Sequence, residues 1–430
     1  MNQYNSYKPS GVKWLGDIPS HWEVLPGLAV IKENKEKNSK LEFNTVLSLS
    51  YGNIVIKKDI NEGLVPAEYN TYQIVKPGYI IIRCTDLQND KTSLRTGLVK
   101  NEGIITSAYL GLVVDEKYNA PYIHYFLHTW DITKEIYRHG SGLRQSLSWL
   151  DLKRLPILLP PTEEQDAIVN YLDAATAKID TAIAQQQKMI DLLNERKQII
   201  INSVVTRGLD PNVKMKDSCV EWIGEIPEHW EVVPMRRFLD VRDGTHDTPS
   251  YLPRSKNTYP LITSKDFIEG EISFEDVKWI SFNDFVEIDK RSHVDKYDVL
   301  TSMIGGNIGK SVIVKKDIKI AIKNVALFKT NGDYNLAKFI YYYMIGGLIK
   351  TQVEINSRGG AQAFLGLNDM RNLVYFDIPI RERNQIVDYL DFRLGAIDKI
   401  IGNCNKQITL LQERKQIIIN DVVTGKVKVS

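Results

Sequence analysis

Hydrophobic residues near the end of the chain recur at alternating spacings of four and three. This spacing is typical of a helix that buries one stripe against a second helix. The stripe comprises Leu390, Leu394, Ile397, Ile401, Cys404, Ile408, Leu411, Lys415 and Ile418. A weaker copy, with three polar positions, comprises Leu172, Thr176, Ile179, Ile183, Gln186, Ile190, Leu193, Lys197 and Ile200. The pattern predicts two long helices whose stripes bury each other, and a dimer between two chains is the alternative.

The first of these helices has recognisable ends. Pro160 and Pro161 end the preceding segment, and residues 162–165 match a capping box. Gly208 follows the last turn, where a C-capping residue is expected. The sequence therefore predicts a helix from about 163 to 206.

Both helices belong to a duplicated frame. Residues 12–26 return as 220–234, and residues 192–206 return as 410–424, with most side chains unchanged. The two segments between these blocks do not resemble each other. One scaffold that carries two different domains explains this arrangement, whereas a repeat array would have a period of about 20–50 residues.

The variable segments alternate β-rich runs with turns, which predicts two mixed α/β domains. In the first segment the predicted strands are 45–50, 79–83 and 104–114, and a helix follows Pro121. In the second segment the predicted strands are 297–301 and 311–314, and a helix follows over 336–343.

Length and charge limit the possible functions. A chain of 430 residues is long enough for about two to four domains. Its 55 basic and 53 acidic residues give a net charge of +2, which is low for a protein that binds DNA without partner proteins. Either the basic side chains are segregated on one face of the protein, or partner proteins supply part of the contacts to DNA.

The cysteines and the hydropathy of the chain indicate a compartment. Cys84, Cys219 and Cys404 lie far apart, so we expect neither a disulfide framework nor a metal site. The chain has no signal-peptide pattern and no apolar run near the length of about 18 residues that a membrane helix needs. We therefore expect a cytoplasmic protein.

Catalytic motifs fail on inspection. Residues 305–311 approach a phosphate-binding loop, but Ile304 stands where the first glycine is required and a strand-like segment follows. The Asn/Asp-Pro-Pro-aromatic tetrapeptide of DNA methyltransferases is missing, and Glu33 with Lys35 gives half of a nuclease motif within a charge run. We expect no catalytic residue in this chain.

The histidine and tryptophan residues of the duplicated frame receive a structural interpretation. His21 and His229 each precede a tryptophan at matching places, which favours a structural role over general-base catalysis. We interpret as core anchors Trp14, Trp22, Trp222 and Trp230.

Dense runs of hydrogen-bonding side chains suggest where DNA is read. Arg, Asn and Gln suit base edges, and Lys, Thr and Ser suit phosphates. The stretch RCTDLQNDKTSLR contributes Arg83, Thr85, Gln88, Asn89, Lys91, Thr92, Ser93 and Arg95, and a Gly-rich loop adds Ser141, Arg144 and Gln145. The second half contributes Arg242, Thr245, His246, Thr248, Ser264, Lys265, Arg358 and Gln362. The alternatives are polar surface loops without a ligand and, for His246, a role within a turn.

These features together resemble the specificity (S) subunit of type I restriction-modification enzymes, over essentially the whole chain. The resemblance rests on the pattern GxIPxHWEVxP at 16–26 and 224–234, the PPTEEQ start of the first helix and the ERKQIIIN end of both helices. The stretches RCTDLQNDKTSLR and DGTHDTP also resemble target-recognition domains of this family. One departure is Arg383, which stands where Gln165 does and puts the cap of the second helix in question.

The resemblance implies an α+β architecture: two mixed α/β target-recognition domains separated by a pair of long antiparallel coiled-coil helices, with internal pseudo-twofold duplication. Residues 1–157 and 209–376 would form the target-recognition domains, and residues 158–208 and 377–430 would carry the conserved helices. The implied protein is a non-catalytic DNA-recognition subunit. Each domain would read one half of a bipartite site, and the helices would set the spacer.

The resemblance also implies the partners. These are double-stranded DNA, two adenine-N6 methyltransferase subunits and, in a full complex, restriction/translocase subunits. S-adenosylmethionine, ATP and magnesium would belong to those partners and not to this chain. Two other functions fit the sequence: the specificity subunit of a type IIB-like system, and a coiled-coil scaffold that binds protein without reading DNA.

Overall fold

The structure is a computed structural model that describes residues 3–57, 69–305, 308–356 and 365–429. The chain divides into two compact units. Unit 1 comprises Met1–Gln187 and Asn405–Ser430, and unit 2 comprises Lys188–Cys404. Each unit therefore contains one variable segment together with one end of each long helix.

The first half of the chain combines short strands with three described helices. The strands are β1 Tyr7–Pro9, β2 Asp17–Pro19, β3 Glu23–Pro26, β4 Ile31–Glu33, β5 Leu47–Ser50, β6 Asn53–Ile56, β7 Gln73–Val75, β8 Ile80–Ile82, β9 Thr96–Leu98, β10 Gly103–Ile105, β11 Leu110–Val114 and β12 Pro156–Leu159. The helices are α1 Ala120–Ile132, α2 Trp149–Leu152 and α3 Thr162–Arg207.

The second half repeats this succession with additions. The strands are β13 Met215–Asp217, β14 Glu225–Pro227, β15 Glu231–Pro234, β16 Val241–Asp243, β17 Thr258–Ile262, β18 Phe267–Ile268, β19 Glu271–Ile272, β20 Lys278–Ser281, β21 Val299–Ser302, β22 Ser311–Ile313, β23 Ala321–Ile322, β24 Val325–Phe328 and β25 Val374–Asp377. The helices are α4 Met235–Phe238, α5 Phe282–Ser292, α6 Tyr334–Ile345, α7 Gly347–Asn356, α8 Leu367–Arg371 and α9 Ile380–Val423.

The two long helices and their heptad stripes are confirmed. α3 spans 46 residues and α9 spans 44. Every position of both predicted stripes is buried or partly buried, including the polar ones. The C-cap prediction also holds, because Gly208 has a φ of +72° and its amide donates to the Val204 carbonyl at 3.0 Å.

Within each unit, α3 and α9 run antiparallel. In unit 1 the start of α3 shares a core with the end of α9, and Asp180 further along α3 pairs with Lys415 at 2.7 Å. In unit 2 the end of α3 shares a core with the start of α9, and Lys197 pairs with Asp398 at 2.5 Å. These two ion pairs are equivalent under the duplication, so the register of the helices is fixed in the same way in both units.

Each unit contains a four-stranded antiparallel sheet of the same order. The order is β4-β11-β8-β9 in unit 1 and β16-β24-β21-β22 in unit 2. The frame strands match as well, because β12 pairs with β3 as β25 pairs with β15. The units differ in their additions, which are the pairs β5-β6 and β10-β7 in unit 1 and the sheet β20-β17-β23 and the pair β18-β19 in unit 2. The duplication thus extends into the variable domains, where the sequences do not resemble each other.

The start of α3 differs from the predicted capping box. α3 begins at Thr162, and the Gln165 side chain donates to the Pro160 carbonyl at 2.9 Å instead of reaching the cap amide. The side-chain oxygen Oε1 of Gln165 accepts a hydrogen bond from the backbone amide of Asn119, the N-cap of α1, at 3.0 Å. Gln165 therefore joins two helix starts and does not close a box on its own helix.

The departure at Arg383 has a matching explanation. Its guanidinium contacts the carboxylate of Asp333, the N-cap of α6, at 2.8 Å. Asp333 in unit 2 takes the place of Asn119 in unit 1, so a charged pair replaces an amide contact at one position. The second helix start is thereby held to its own domain, as the first one is.

Candidate nucleic-acid interface

The stretch predicted to read DNA in the first half forms the β8–β9 loop, residues 83–95. Its exposed side chains belong to Thr85, Gln88, Asn89, Lys91 and Thr92, while Arg83 and Ser93 are half-buried. The loop is folded on itself: Arg83 pairs with Asp90 at 3.1 Å, and Asn89 donates to Asp86 at 2.8 Å. Hydrogen bonds from Ser93, its backbone amide first, hold the pKa of Asp90 well below its usual range, and Arg83 adds to this effect.

Arg95 has a different role from the one predicted. It is fully buried, and its guanidinium donates to the carbonyls of Arg83, Thr85 and Asp86 at distances from 2.8 to 3.2 Å, and also to that of Asp90. A buried arginine that satisfies four backbone acceptors shapes the loop and offers no donor to DNA. The burial of Arg95 argues against the predicted DNA contact, and composition does not show which arginine of a loop points inward.

The Gly-rich loop, residues 140–145, lies against the β8–β9 loop. The Leu87 amide donates to the Gln145 carbonyl at 3.1 Å, and the Leu147 amide donates to the Cys84 carbonyl at 2.9 Å. Ser141 and Arg144 are exposed. Gln145 instead points inward and donates to the Tyr137 carbonyl at 2.7 Å. The structure thus brings together two stretches that the sequence analysis singled out separately.

Two hydrophobic side chains beside these loops were missed by the sequence analysis. Tyr51, at the β5–β6 turn, is 91% exposed, and Leu143, in the Gly-rich loop, is 99% exposed. The turn adjoins the β8–β9 loop, because a Cβ on Gly52 would lie 3.0 Å from the Leu94 side chain. In the sequence, the signal for these residues was a large apolar side chain at the tip of a turn. Tyr51 and Leu143 both extend the candidate interface.

In unit 2, the Arg242–Thr248 stretch leaves the end of β16. His246 is held within a turn on both nitrogens, by Asn324 at 2.9 Å and by Asp243 at 3.1 Å, which agrees with the structural alternative for this residue. Arg242 is half-buried and pairs with Asp240 at 2.7 Å. Thr248 is exposed and accepts from Lys323.

The remaining predicted residues of unit 2 are dispersed. Thr245 is half-buried, and its amide donates to the Ile322 carbonyl at 3.0 Å. Ser264 and Lys265 lie on a short 3-10 turn, with Ser264 half-buried and Lys265 exposed. Arg358 and Gln362 lie outside the described residues.

Neither a metal centre nor a membrane helix is found in the part of the chain that the structure describes. No group of three or more His, Cys, Asp or Glu side chains is arranged there to hold a metal ion. In the same residues, no helix combines the length and the apolar character needed to cross a bilayer.

Both units contain a sheet of the same strand order with polar loops, and each contains one end of each long helix. This arrangement defines a class of proteins that recognise a target with two parts. The chain belongs to the type I restriction modification DNA specificity domain family, whose model matches residues 19–190 and 227–410. The family confirms the resemblance seen in the sequence. It also identifies the chain as a DNA-specificity component of such a system.

Curated relatives agree with this family. The chain is similar to the putative type I restriction enzyme MjaX specificity subunit of Methanocaldococcus jannaschii, with 27% identity over 66% of this chain and 62% of the relative. The MjaVIII specificity subunit of the same organism is 25% identical over 64% of this chain and 63% of the relative. The EcoBI specificity subunit of Escherichia coli is 24% identical over 73% of this chain and 67% of the relative. The chain thus spans just under two thirds of the first two relatives.

A solved structure shares the fold over almost the whole chain. The matching chain belongs to a structure described as the structural basis of complex assembly and conformational transition of the type I restriction-modification system. The match has a TM-score of 0.67 and 14% identity, and it covers 95% of this chain and 99% of that chain. The predicted α+β architecture is therefore confirmed.

Proposed function

We propose that this chain is the DNA-recognition subunit of a type I restriction-modification complex and that each unit reads one half of a bipartite DNA site. The observation that carries the proposal is the repeated four-stranded sheet. In both units the sheet has the same strand order, and different loops extend from it. A repeated support with different contact loops is what two half-sites of different sequence require.

The loops have the chemistry that base and phosphate contacts need. In unit 1, Gln88 and Arg144 are exposed, as are Lys91 and Thr92. Gln and Arg side chains read base edges, and Lys and Thr bind phosphates. The buried Arg95 binds four backbone carbonyls of the β8–β9 loop, so the loop backbone would be preorganised for DNA.

Two methyltransferase subunits would dock on a surface that the helices also repeat. Leu192 and Ile199 of α3 are exposed, as are their equivalents Leu410 and Ile417 of α9. Between 51% and 62% of each residue is exposed. These residues are not part of the heptad stripes that the helices bury. Exposed apolar residues mark protein-binding surfaces, and two equivalent surfaces on one chain fit two copies of one partner.

The helices would set the spacer between the half-sites. The pairs Asp180–Lys415 and Lys197–Asp398 fix their register once in each unit. Because a heptad is the repeat of such a pair, the spacer would change in steps of whole heptads without loss of the register.

The chemistry of the complex would lie outside this chain. S-adenosylmethionine would bind to the methyltransferase subunits, and ATP with magnesium would bind to restriction/translocase subunits. The complex would methylate and cleave DNA in the cytoplasm, which is the compartment expected from the sequence.

The proposal is tested by co-expression of this chain with an adenine-N6 methyltransferase subunit from the same cell. We expect co-purification and binding of the complex to one bipartite sequence selected from random duplexes. A scaffold that does not read DNA would co-purify without selecting a sequence. In a type IIB-like system, the same chain would select a sequence with a partner that also cleaves DNA.

A further inference from the structure

The β21–β22 loop of unit 2, described at residues 303–305 and 308–310, occupies the position that the β8–β9 loop has in unit 1. Both loops connect the third strand of the sheet to the fourth, in the orders β16-β24-β21-β22 and β4-β11-β8-β9. In the sequence, residues 305–311 resemble a nucleotide-binding loop without matching its pattern, and nothing in them points to DNA.

The same backbone hydrogen bond closes both loops. In unit 1 the amide of Arg83 donates to the carbonyl of Arg95 at 2.8 Å. In unit 2 the amide of Ser302 donates to the carbonyl of Lys310 at 2.9 Å. Lys310 therefore stands at the last position of its loop, as Arg95 does, but its side chain is exposed where that of Arg95 is buried.

A second hydrogen bond anchors the following segment to each loop. The Leu147 amide donates to the Cys84 carbonyl at 2.9 Å, and the Leu365 amide donates to the Met303 carbonyl at 3.0 Å. The hydrogen bond that closes the loop and the one that joins it to the following segment are the same in both units. The two loops are therefore equivalent, although they differ in length and sequence.

The loop also shares its end of the sheet with the Arg242–Thr248 stretch. One row of paired residues crosses the four strands. Asp243, the last residue of β16, pairs with Ala326 of β24. Ala326 pairs with Thr301 of β21, and Thr301 pairs with Ser311 of β22. The stretch that leaves β16 and the loop that joins β21 to β22 therefore emerge from one end of the sheet.

We propose that Gly305, Gly309 and Lys310 of the β21–β22 loop contact the DNA backbone of the second half-site and that Lys310 neutralises a phosphate there. This rests on the proposed function. Gly305 and Gly309 have φ values of +70° and +84°, and a Cβ on Gly305 would meet nothing within 4 Å. A backbone open in this way lets a phosphate approach the peptide amides closely.

The charges around the loop support a phosphate. Lys310 and Lys350 are both exposed, and both line a pocket of about 460 Å³ that also includes Gly305 and Gly309. Within the described residues, neither lysine forms an ion pair. One carboxylate, Glu354, also lines the pocket and has an interaction of its own. Two lysines without a carboxylate partner beside a Gly-rich turn are suited to a polyanion.

Salt-dependent binding of the assembled complex to its selected duplex tests this contact. One phosphate contact adds about −0.9 to the slope of log K against log salt. We therefore expect Lys310→Ala to reduce the slope by about 1 and to weaken binding about eightfold at 0.1 M salt. Lys310→Arg is expected to keep the slope, and ethylation interference at one phosphate of the second half-site is expected to disappear in Lys310→Ala.

The matched control is Lys316→Ala. Lys316 is exposed and follows β22 at the opposite end of the sheet, where Ile313 pairs with Val299. If Lys310→Ala binds like Lys316→Ala while the wild-type complex selects its bipartite site, the loop contact is refuted and the proposed function stands. If the wild-type complex selects no site, both are overturned.

Discussion

The indole Nε1 of Trp22 donates a hydrogen bond to the carboxylate of Glu164 in the first turn of α3, at 2.9 Å. The same carboxylate contacts His21 at 2.6 Å and accepts from Tyr4 at 3.2 Å. Unit 2 repeats the arrangement, because Trp230 and His229 both contact Glu382, at 3.1 and 2.7 Å. The His-Trp pair of the duplicated frame therefore joins the frame to the start of each long helix, which confirms the structural interpretation of these residues.

Loss of this carboxylate should destabilise the unit that contains it. In Glu164→Ala, the buried indole N–H of Trp22 loses its acceptor, and an unsatisfied buried donor costs about 1–3 kcal/mol. We expect a decrease of this size in the free energy of unfolding, measured with urea, and a similar one for Glu382→Ala. Glu163→Ala is the control, because Glu163 is exposed in the same turn. Equal midpoints for Glu163→Ala and Glu164→Ala would contradict the account.

Two residues of the β8–β9 loop should separate stability from recognition. Arg95→Ala removes the donors of four loop carbonyls, so we expect a lower free energy of unfolding and loss of the whole first half-site. Gln88→Ala removes an exposed side chain, so we expect unchanged unfolding and a loss of about 1–3 kcal/mol in binding, with relaxed preference at one base pair. Unfolding midpoints and binding to single-substituted duplexes check both. A stable Arg95→Ala protein with one relaxed base pair would show that Arg95 reads DNA after all.

The sequence predicted the elements whose pattern is local. The heptad stripes, the strand before Arg83 and the helix after Pro121 were predictable because periodicity and turn residues determine them. The burial of Arg95 was not predictable, because an inward and an outward arginine leave the same composition. The equivalence of the β8–β9 and β21–β22 loops was also hidden, since it depends on strand order and on two backbone hydrogen bonds. The pairing of Arg383 with Asp333 joins residues that are 50 positions apart.

The repeated apolar surface predicts the stoichiometry of the complex. Leu192→Asp with Ile199→Asp places charges on the α3 copy and leaves the α9 copy intact, so we expect one methyltransferase to be lost and one to remain. The mass of the complex in solution, from light scattering after gel filtration, measures this. Asn194→Asp is the control on the same helix, because Asn194 is exposed and polar. A complex that keeps two partners after both apolar substitutions would move the docking site elsewhere.

The heptad register predicts how the spacer responds to shortened helices. Deletion of 183–189 together with 401–407 removes one heptad from equivalent positions of α3 and α9, so both stripes stay in register. We expect the complex to select the same two half-sites with fewer base pairs between them. Deletion of 183–186 with 401–404 breaks the heptad and should abolish binding. A change in the half-site bases after the seven-residue deletion would contradict a ruler role for the helices.

The central claim is that this chain determines a two-part DNA sequence for partner enzymes. A genome-wide map of adenine methylation, in cells with and without the gene for this chain, tests it most directly. The account predicts that one bipartite methylated motif disappears when the gene is removed and returns when the chain is supplied again. A methylation map that is the same with and without the chain, in cells where the methyltransferase partner is expressed and active, would contradict the account.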